Sequence, residues 1–209
     1  MNVEIRFKPL PHLEDDLCRV KAIDDSMNIP KICVLGAGNR PLTNFNKSDF
    51  LGLETIGKHY IPTNVDIRGY LTTDVVEDLS KKKWKLKTNE YDIVIAEHVA
   101  EHVADRLAFI NECLRITKPD GLLIIEVPNW KHESAHNTLE HYTTWGRCIF
   151  NDSYINEYGE RWKVEKVVYR MTYPFSWKSF YLGSGFWARQ VDRFTSKVSG
   201  LRFFIRVKK

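Results

Sequence analysis

The chain has 209 residues, 43% of them hydrophobic and 28% charged, with a formal net charge of +4. These proportions exclude a disordered tail, a collagen and a small disulfide scaffold. No apolar run approaches the ~18 residues of a membrane span, and the acid-bearing start MNVEIRFKPLPHLEDD does not read as a signal peptide.

Residues 1–30 read as an N-terminal cap: an extended piece over 3–7, a helix-like stretch over 12–22, and Pro30 as its close. KICVL, residues 31–35, is continuously apolar, the mark of a strand buried on both faces of a parallel sheet. It runs into Gly36-Ala37-Gly38-Asn39. Further extended pieces over 60–65, 73–76 and 91–96 end at Asp66, Asp78 and Glu97-His98. The lysines of KKKWKLK, residues 81–87, read as a solvated loop. Val103, Leu107, Ile110 and Leu114 fall at i, i+4, i+7 and i+11, which predicts one apolar stripe on a helix that Pro119-Asp120-Gly121 stops. A fifth strand over 122–127 ends at Pro128. Strands alternating with crossovers predict an α/β fold, a Rossmann-like, doubly wound and mostly parallel sheet. In the tail, strands over 164–169 and 201–207 flank an aromatic stretch over 173–186 and an amphipathic helix over 187–198. The two late strands predict an antiparallel C-terminal pair at one sheet edge. The whole is expected to be a single domain: cap 1–30, core 31–130, and an elaboration 131–209 on the acceptor side.

Four cysteines, Cys18, Cys33, Cys113 and Cys148, form no CxxC pair and read as thiols of a reducing compartment, so the expected location is the cytoplasm. The small positive surplus permits an anionic partner without demanding one, and nucleic-acid binders concentrate far more positive charge.

Open α/β sheets bind ligands beyond the carboxyl ends of their strands. Small residues at 36–38 let a ligand approach the backbone. Asp66 is placed to accept from a ribose diol, and Asp78 from an adenine amino group. The set suits an adenosine-containing cofactor. A dinucleotide fingerprint needs a third glycine where Pro41 stands, which weakens a nicotinamide reading.

The order VLGAG (34–38), VDI (65–67), DVVEDL (74–79), YDIVIAEHVAEHV (91–103) and LRITKPDGLLIIEVPN (114–129) resembles the class I S-adenosylmethionine-dependent methyltransferases, over about residues 31–130. The resemblance implies S-adenosyl-L-methionine as cofactor. Gly36, Ala37 and Gly38 would line its methionine and ribose part, and Asp66, with Ile67 beside it, its ribose hydroxyls. Asp78 and Leu79 would meet the adenine. Glu97 and His98 would stand beside the sulfonium. Val34 and Arg40 depart from the family's usual acid and third glycine, and the 30 positions from Gly36 to Asp66 are longer than a compact crossover needs.

Methyl transfer to a hydroxyl is an in-line displacement, so orientation carries much of the catalysis, about 7–11 kcal/mol in well-ordered cases. A hydroxyl is a poor nucleophile at neutral pH, and a base contributes about 10²–10⁴-fold. The catalytic candidates are His98 at the fourth strand's end, His141 in EHYTTW, and His102 one helical turn after His98. Each has a structural alternative: a residue shaping the cofactor pocket for His98, a cap or packing residue for His102. His132 and His136 share the loop of His141, and His12 and His59 stand in no motif. HVAEH, residues 98–102, is also the HxxEH pattern of a zinc hydrolase, with His98 and His102 as ligands and Glu140 or His141 as a third. No metal is expected, because His98 falls at a strand end and that reading leaves the nucleotide-like strand ends unexplained.

Trp130, Tyr142, Trp145, Tyr173, Phe175, Trp177, Tyr181 and Trp187 are aromatic surfaces for sugar C–H faces, or core of the added strands. The expected acceptor is a carbohydrate hydroxyl. HYTTW and the VKK-ended last strand resemble glycan-modifying O-methyltransferases, such as the rhamnose methyltransferases of large algal viruses. No membrane partner and no nucleic-acid partner is expected. Base N-methylation lacks its Asn-Pro-Pro-Tyr-type motif, since the strand end reads Ala96-Glu97-His98-Val99, while ribose methylation, a small-molecule acceptor and a catalytically silent partner subunit remain as alternatives.

Overall fold

A computed structural model describes residues 29–39, 60–150, 161–172, 179–181 and 186–209. Within them one eight-stranded sheet runs in the order β3-β2-β1-β4-β5-β8-β6-β7. The strands are β1 (Lys31–Leu35), β2 (Ile61–Asp66), β3 (Val75–Val76), β4 (Tyr91–Glu97), β5 (Thr117–Pro128), β6 (Trp162–Thr172), β7 (Ser179–Tyr181) and β8 (Val198–Val207). β3 to β5 are mutually parallel, and β8, β6 and β7 join antiparallel beyond β5. The expected Rossmann-like sheet and its antiparallel C-terminal strands are both present, with β7 as a third late strand. The N-terminal cap over 3–22, Cys18, His12, His59, Arg40, Pro41 and the aromatics at 173–178 lie outside the described residues.

The apolar runs bury both faces. Cys33, Leu35, Val94, Ala96, Leu123, Ile125, Phe203 and Ile205 belong to the larger cluster. Their neighbours Ile32, Val34, Ile93, Ile95, Ile124 and Phe204 form a second cluster on the opposite face. This is the period-2 consequence of a strand covered on both sides. Each fully buried large side chain contributes about 1.5–3 kcal/mol.

Helix α1 (Arg106–Ile116) covers the larger cluster. Asp105 caps it, accepting from Ala108 N at 2.9 Å, which satisfies one of the unpaired first-turn donors. The buried stripe differs from the predicted one. Phe109, Ile110, Cys113, Leu114 and Ile116 are buried, Val103 precedes the helix, and Leu107 is 42% exposed. Leu107 instead borders a cavity of about 580 Å³ together with Trp145, Phe150 and Trp162. The helix ends at Ile116, with Thr117 as its cap, before Pro119 is reached. The 118–121 segment is then absorbed in β5 as an irregularity: Tyr91 pairs with Thr117, yet Ile93 pairs with Leu122. Asp120 takes a left-handed φ of 56° there.

In KKKWKLK the lysines are exposed while Trp84 and Leu86 are buried. Trp84 meets Phe109 edge-on at 5.5 Å. Glu112 accepts from Trp84 N at 2.7 Å and from Arg115 Nε at 2.7 Å. Arg115 also donates to Leu86 O at 2.8 Å. This loop is thus pinned by its apolar and backbone groups, and its charges face solvent. The amphipathic tail helix is α2 (Phe186–Phe194), four residues shorter at its C-terminal end than the expected 187–198.

Candidate functional site

The carboxyl ends of β1, β2 and β4 meet at one edge. Gly36 and Gly38 have φ of 66° and 58°, left-handed values that a side chain resists. A Cβ on Gly36 would lie 2.8 Å from both Cβ and Cγ2 of Val99, so the turn after β1 is packed on the turn after β4. A Cβ on Gly38 would meet nothing within 4 Å, leaving open space above that peptide. Asp66 is buried at the end of β2. Its Oδ2 accepts from Gly38 N and its Oδ1 from Arg68 N, both at 2.9 Å. The carboxylate therefore holds the glycine turn in place, and each oxygen keeps a lone pair for a further donor. Glycine backbone beneath open space, beside an anchored acid, fits an adenosyl ligand.

The other expected cofactor residues scatter. Ala37 donates its N–H to Val65 O at 3.1 Å. Ile67 is 64% exposed. Asp78 accepts from Ser80 N at 3.0 Å and Ser80 Oγ at 2.6 Å, and these bonds hold its carboxyl below the usual range. The Leu79 side chain packs in the main core.

At the end of β4 the chain turns sharply: His98 has φ 52° and donates its N–H to Glu126 O at 2.9 Å. Its ring sits between two groups, with Nδ1 3.2 Å from Glu101 Oε1 and Nε2 3.1 Å from Arg170 Nη1. Because the guanidinium only donates, Nε2 is the acceptor and Nδ1 carries the proton. Burial disfavours the charged ring, but the bond to Glu101 and the charges of Glu101 and Glu126 outweigh it, and the His98 pKa stands above its ordinary value.

Beneath lies a buried ion pair. Glu126 on β5 faces Arg202 on β8 across the antiparallel register. Both side chains are 1% exposed and bonded through Oε2. Arg170 on β6 donates to Glu126 Oε1 at 3.1 Å. Glu97 Oε1 is 4.0 Å from Arg202 Nη2. Burial, then the Glu126 charge, raises the Glu97 pKa against the pull of Arg202. The two arginines escaped the sequence reading. Their trace was a cation inside a largely apolar strand: Arg202 in LRFFIRV, which also carries Arg206, and Arg170 in VVYRM.

The 3-10 turn Ala100–His102 follows, so His98 and His102 do not share a helix face as the HxxEH pattern requires. What His102 meets is His141, edge-to-face at 4.8 Å between ring centroids. The 140–145 segment is stitched to the turn by Thr143 N donating to Glu101 O at 3.2 Å. His98, Glu101, His102, His132, His141 and Arg170 share a cavity of about 380 Å³. Four of the histidines named from sequence are thus brought together, while His136 is exposed and bonds Trp130 O.

The chain matches the methyltransferase domain family over residues 10–125. A ubiquinone biosynthesis O-methyltransferase of Haemophilus ducreyi is 34% identical over 77 residues, 37% of this chain and 32% of that protein. The same-named protein of Rhodopseudomonas palustris is 49% identical over 43 residues, 20% of this chain and 17% of that protein. The chain spans about a third or less of the length of these curated relatives. Among solved structures, a SAM-dependent methyltransferase of Thermotoga maritima, a possible histamine N-methyltransferase, superposes with a TM-score of 0.57 at 14% identity, over 95% of this chain and 91% of that one. One from Archaeoglobus fulgidus superposes with a TM-score of 0.55 at 17% identity, over 94% of each.

Proposed function

The chain belongs to the methyltransferase domain family, whose cofactor is S-adenosyl-L-methionine, and from that premise we propose that it moves a methyl group to a hydroxyl oxygen of a small polar acceptor, a carbohydrate first. The observation that carries the reading is the junction of two half-sites at one sheet edge. The glycine turn anchored by Asp66 is packed through Gly36 and Val99 against the turn that opens the histidine cavity.

When bound, the cofactor supplies an electrophilic methyl on a positively charged sulfur. Gly36, Ala37, Gly38, Asp66 and Ile67 would hold its ribose and methionine part, Asp78 and the Leu79 backbone its adenine end, and Glu97 its charged end. Glu97 is half-buried and already faces Arg202. Arg170 and Glu101 fix the His98 ring, so His98 acts as a positioning residue in this state. His102 and His141, which line the same cavity, each keep a ring nitrogen without a proton. The cavity walls favour a polyol: histidine, glutamate, arginine and serine line it. Trp130 and Tyr142, 50% and 66% exposed, stand in sequence beside Lys131 and His141 as surfaces for sugar C–H faces. A phenolic hydroxyl is the second reading, favoured by the names of the O-methyltransferase relatives.

The test is release of S-adenosylhomocysteine against a panel of free sugars, glycosides and phenols, with calorimetric titration of the cofactor alongside. Turnover on a sugar supports the first reading, and turnover on phenols alone replaces it with the second. Asp66→Ala should weaken cofactor binding at least tenfold, and unchanged affinity would remove the ribose assignment.

A further inference from the structure

The cavity contains a set of atoms that methyl transfer alone does not explain. Glu101 is 2% exposed. One of its oxygens meets His98, and the other, Oε2, is buried with no hydrogen-bond partner. Beside it, His102 Nδ1 lies 3.0 Å from the carbonyl oxygen of Glu140, and His141 Nδ1 lies 3.3 Å from that of Ala135. A carbonyl oxygen only accepts. Both rings therefore carry their proton on Nδ1 and present the Nε2 lone pair. One ligand atom from each of Glu101, His102 and His141 lies within 4.8 Å of the others. Among the described residues no donor is bonded to Glu101 Oε2. Three acceptors, one of them a buried carboxylate oxygen, repel one another unless something positive sits between them.

We propose that Glu101, His102 and His141 bind one divalent first-row transition-metal ion, of the zinc or manganese class, with its remaining positions open to the cavity. Two neutral imidazoles and one carboxylate make a borderline donor set of this kind. The carbonyls of Glu140 and Ala135 already perform the supporting task such sites need, fixing each ring's tautomer and direction. A second group, Glu97, His98 and Glu126, has equally close atoms. There Arg202 and Arg170 already neutralise the carboxylates, so it does not call for a cation. The site is not a zinc-hydrolase helix: His98 is not a ligand, and Glu101 takes its place beside His102 and His141.

The role of the ion rests on the methyl-transfer reading. An acceptor hydroxyl bound to it loses its proton more readily, as metal-bound water does. That proton passes to solvent, the oxygen bonds the methyl carbon, and the carbon–sulfur electron pair returns to sulfur.

The experiment uses the purified chain stripped with a chelator. Zn²⁺ and Mn²⁺ are titrated by calorimetry, and bound metal is counted after dialysis. Co²⁺ is added as a reporter of ligand-field bands. One ion per chain is expected, with affinity falling about 100-fold or more in His102→Ala and His141→Ala and the cobalt bands lost, while His132→Ala keeps both. Glu101→Gln guards against misfolding: it should lose the metal while the metal-free variant melts no lower than the metal-free parent, because an amide relieves the repulsion. No stoichiometric ion in the parent, or an ion retained in the His102→Ala/His141→Ala double variant, overturns the site. Cofactor heat measured on the same samples separates the two ideas. Cofactor binding without metal refutes only the metal site, and metal binding without cofactor refutes only the methyl-transfer reading.

Discussion

Replacing Glu126 by Gln asks whether the buried pair beneath the histidine is a structural necessity. Glu126 and Arg202 are each 1% exposed, so removing the carboxylate strands a guanidinium where water cannot reach it. Breaking a buried pair from one side costs about 3–5 kcal/mol. Glu97, 4.0 Å from Arg202 Nη2, offers a substitute partner, which places the expected loss near the lower end, about 3 kcal/mol. With a urea slope of about 2 kcal/mol/M, the unfolding midpoint drops by about 1.5 M. Arg202→Met should cost a similar amount, because Glu126 would lose its fully buried partner and be left with the partly exposed Arg170 and the more distant His98 ring. The double variant Glu126→Leu/Arg202→Met should be more stable than either single change, since an apolar replacement of a whole buried pair is often neutral or better. Urea melts of the parent, Glu126→Leu, Arg202→Met and the double variant measure the cycle, with Glu126→Gln beside them. Single variants within about 1 kcal/mol of the parent, with additive effects, would refute the placement of this pair in a dry interior.

Other outcomes follow from the same physics. Glu112 is pushed up by burial and pulled down more strongly by its bonds to Arg115 and Trp84 N, so its folded pKa lies below the ordinary 4.5. Its stabilisation is therefore full above that value and lost as pH falls through the lowered one. Glu112→Gln should cost about 1–2 kcal/mol at pH 7 and nothing measurable near pH 2, read from melts across pH. Gly121→Ala puts a Cβ 2.7 Å from Thr117 Cγ2, 2.9 Å from Lys118 O and 3.0 Å from Asp92 O. Two of those are backbone atoms that cannot swing aside, so a loss of about 1–3 kcal/mol is expected in thermal unfolding. Gly36→Ala meets both a left-handed φ and Val99, and should lose about 2 kcal/mol together with cofactor heat. Val99→Ala should restore only part of it, because Val99 Cβ itself stands at 2.8 Å.

The parallel half of the sheet was legible because its signal is local. KICVL, YDIVIA and LLIIEV are apolar without alternation, and only burial on both faces makes such runs stable as strands. The glycines, Asp66 and the Glu97-His98 pair could be placed because they terminate those runs. The helix stripe was misdrawn because Val103 fits the period while belonging to the turn before the Asp105 cap. The site's cations were visible only as charges inside apolar strands, without their partner. Arg170 and Arg202 come to Glu126 from 44 and 76 residues away, and no periodicity within a strand reports which strand it will pair with. The partner of His102 was hidden in a similar way. HVAEH at helical spacing aligns His98 with His102, but the left-handed φ at His98 breaks that alignment and sends the partnership of His102 to His141.

The late strands explain why the β4 turn can hold so unusual a shape. A histidine at φ 52° is strained, and such residues persist only where their surroundings fix them. Here three independent restraints converge on it. Glu126 O receives its N–H, Glu101 and Arg170 grip the two ring nitrogens, and Gly36 lets Val99 pack with no intervening side chain. Two of the three depend on β5 and β6, and one on the turn after β1. A disturbance of the cofactor turn is therefore transmitted through Val99 to the histidine, and loss of Arg170 is transmitted the other way. Arg170→Met should therefore weaken cofactor binding although the guanidinium bonds His98 and Glu126, not the glycine turn. Calorimetric affinity equal to that of the parent would show that the two half-sites are merely adjacent.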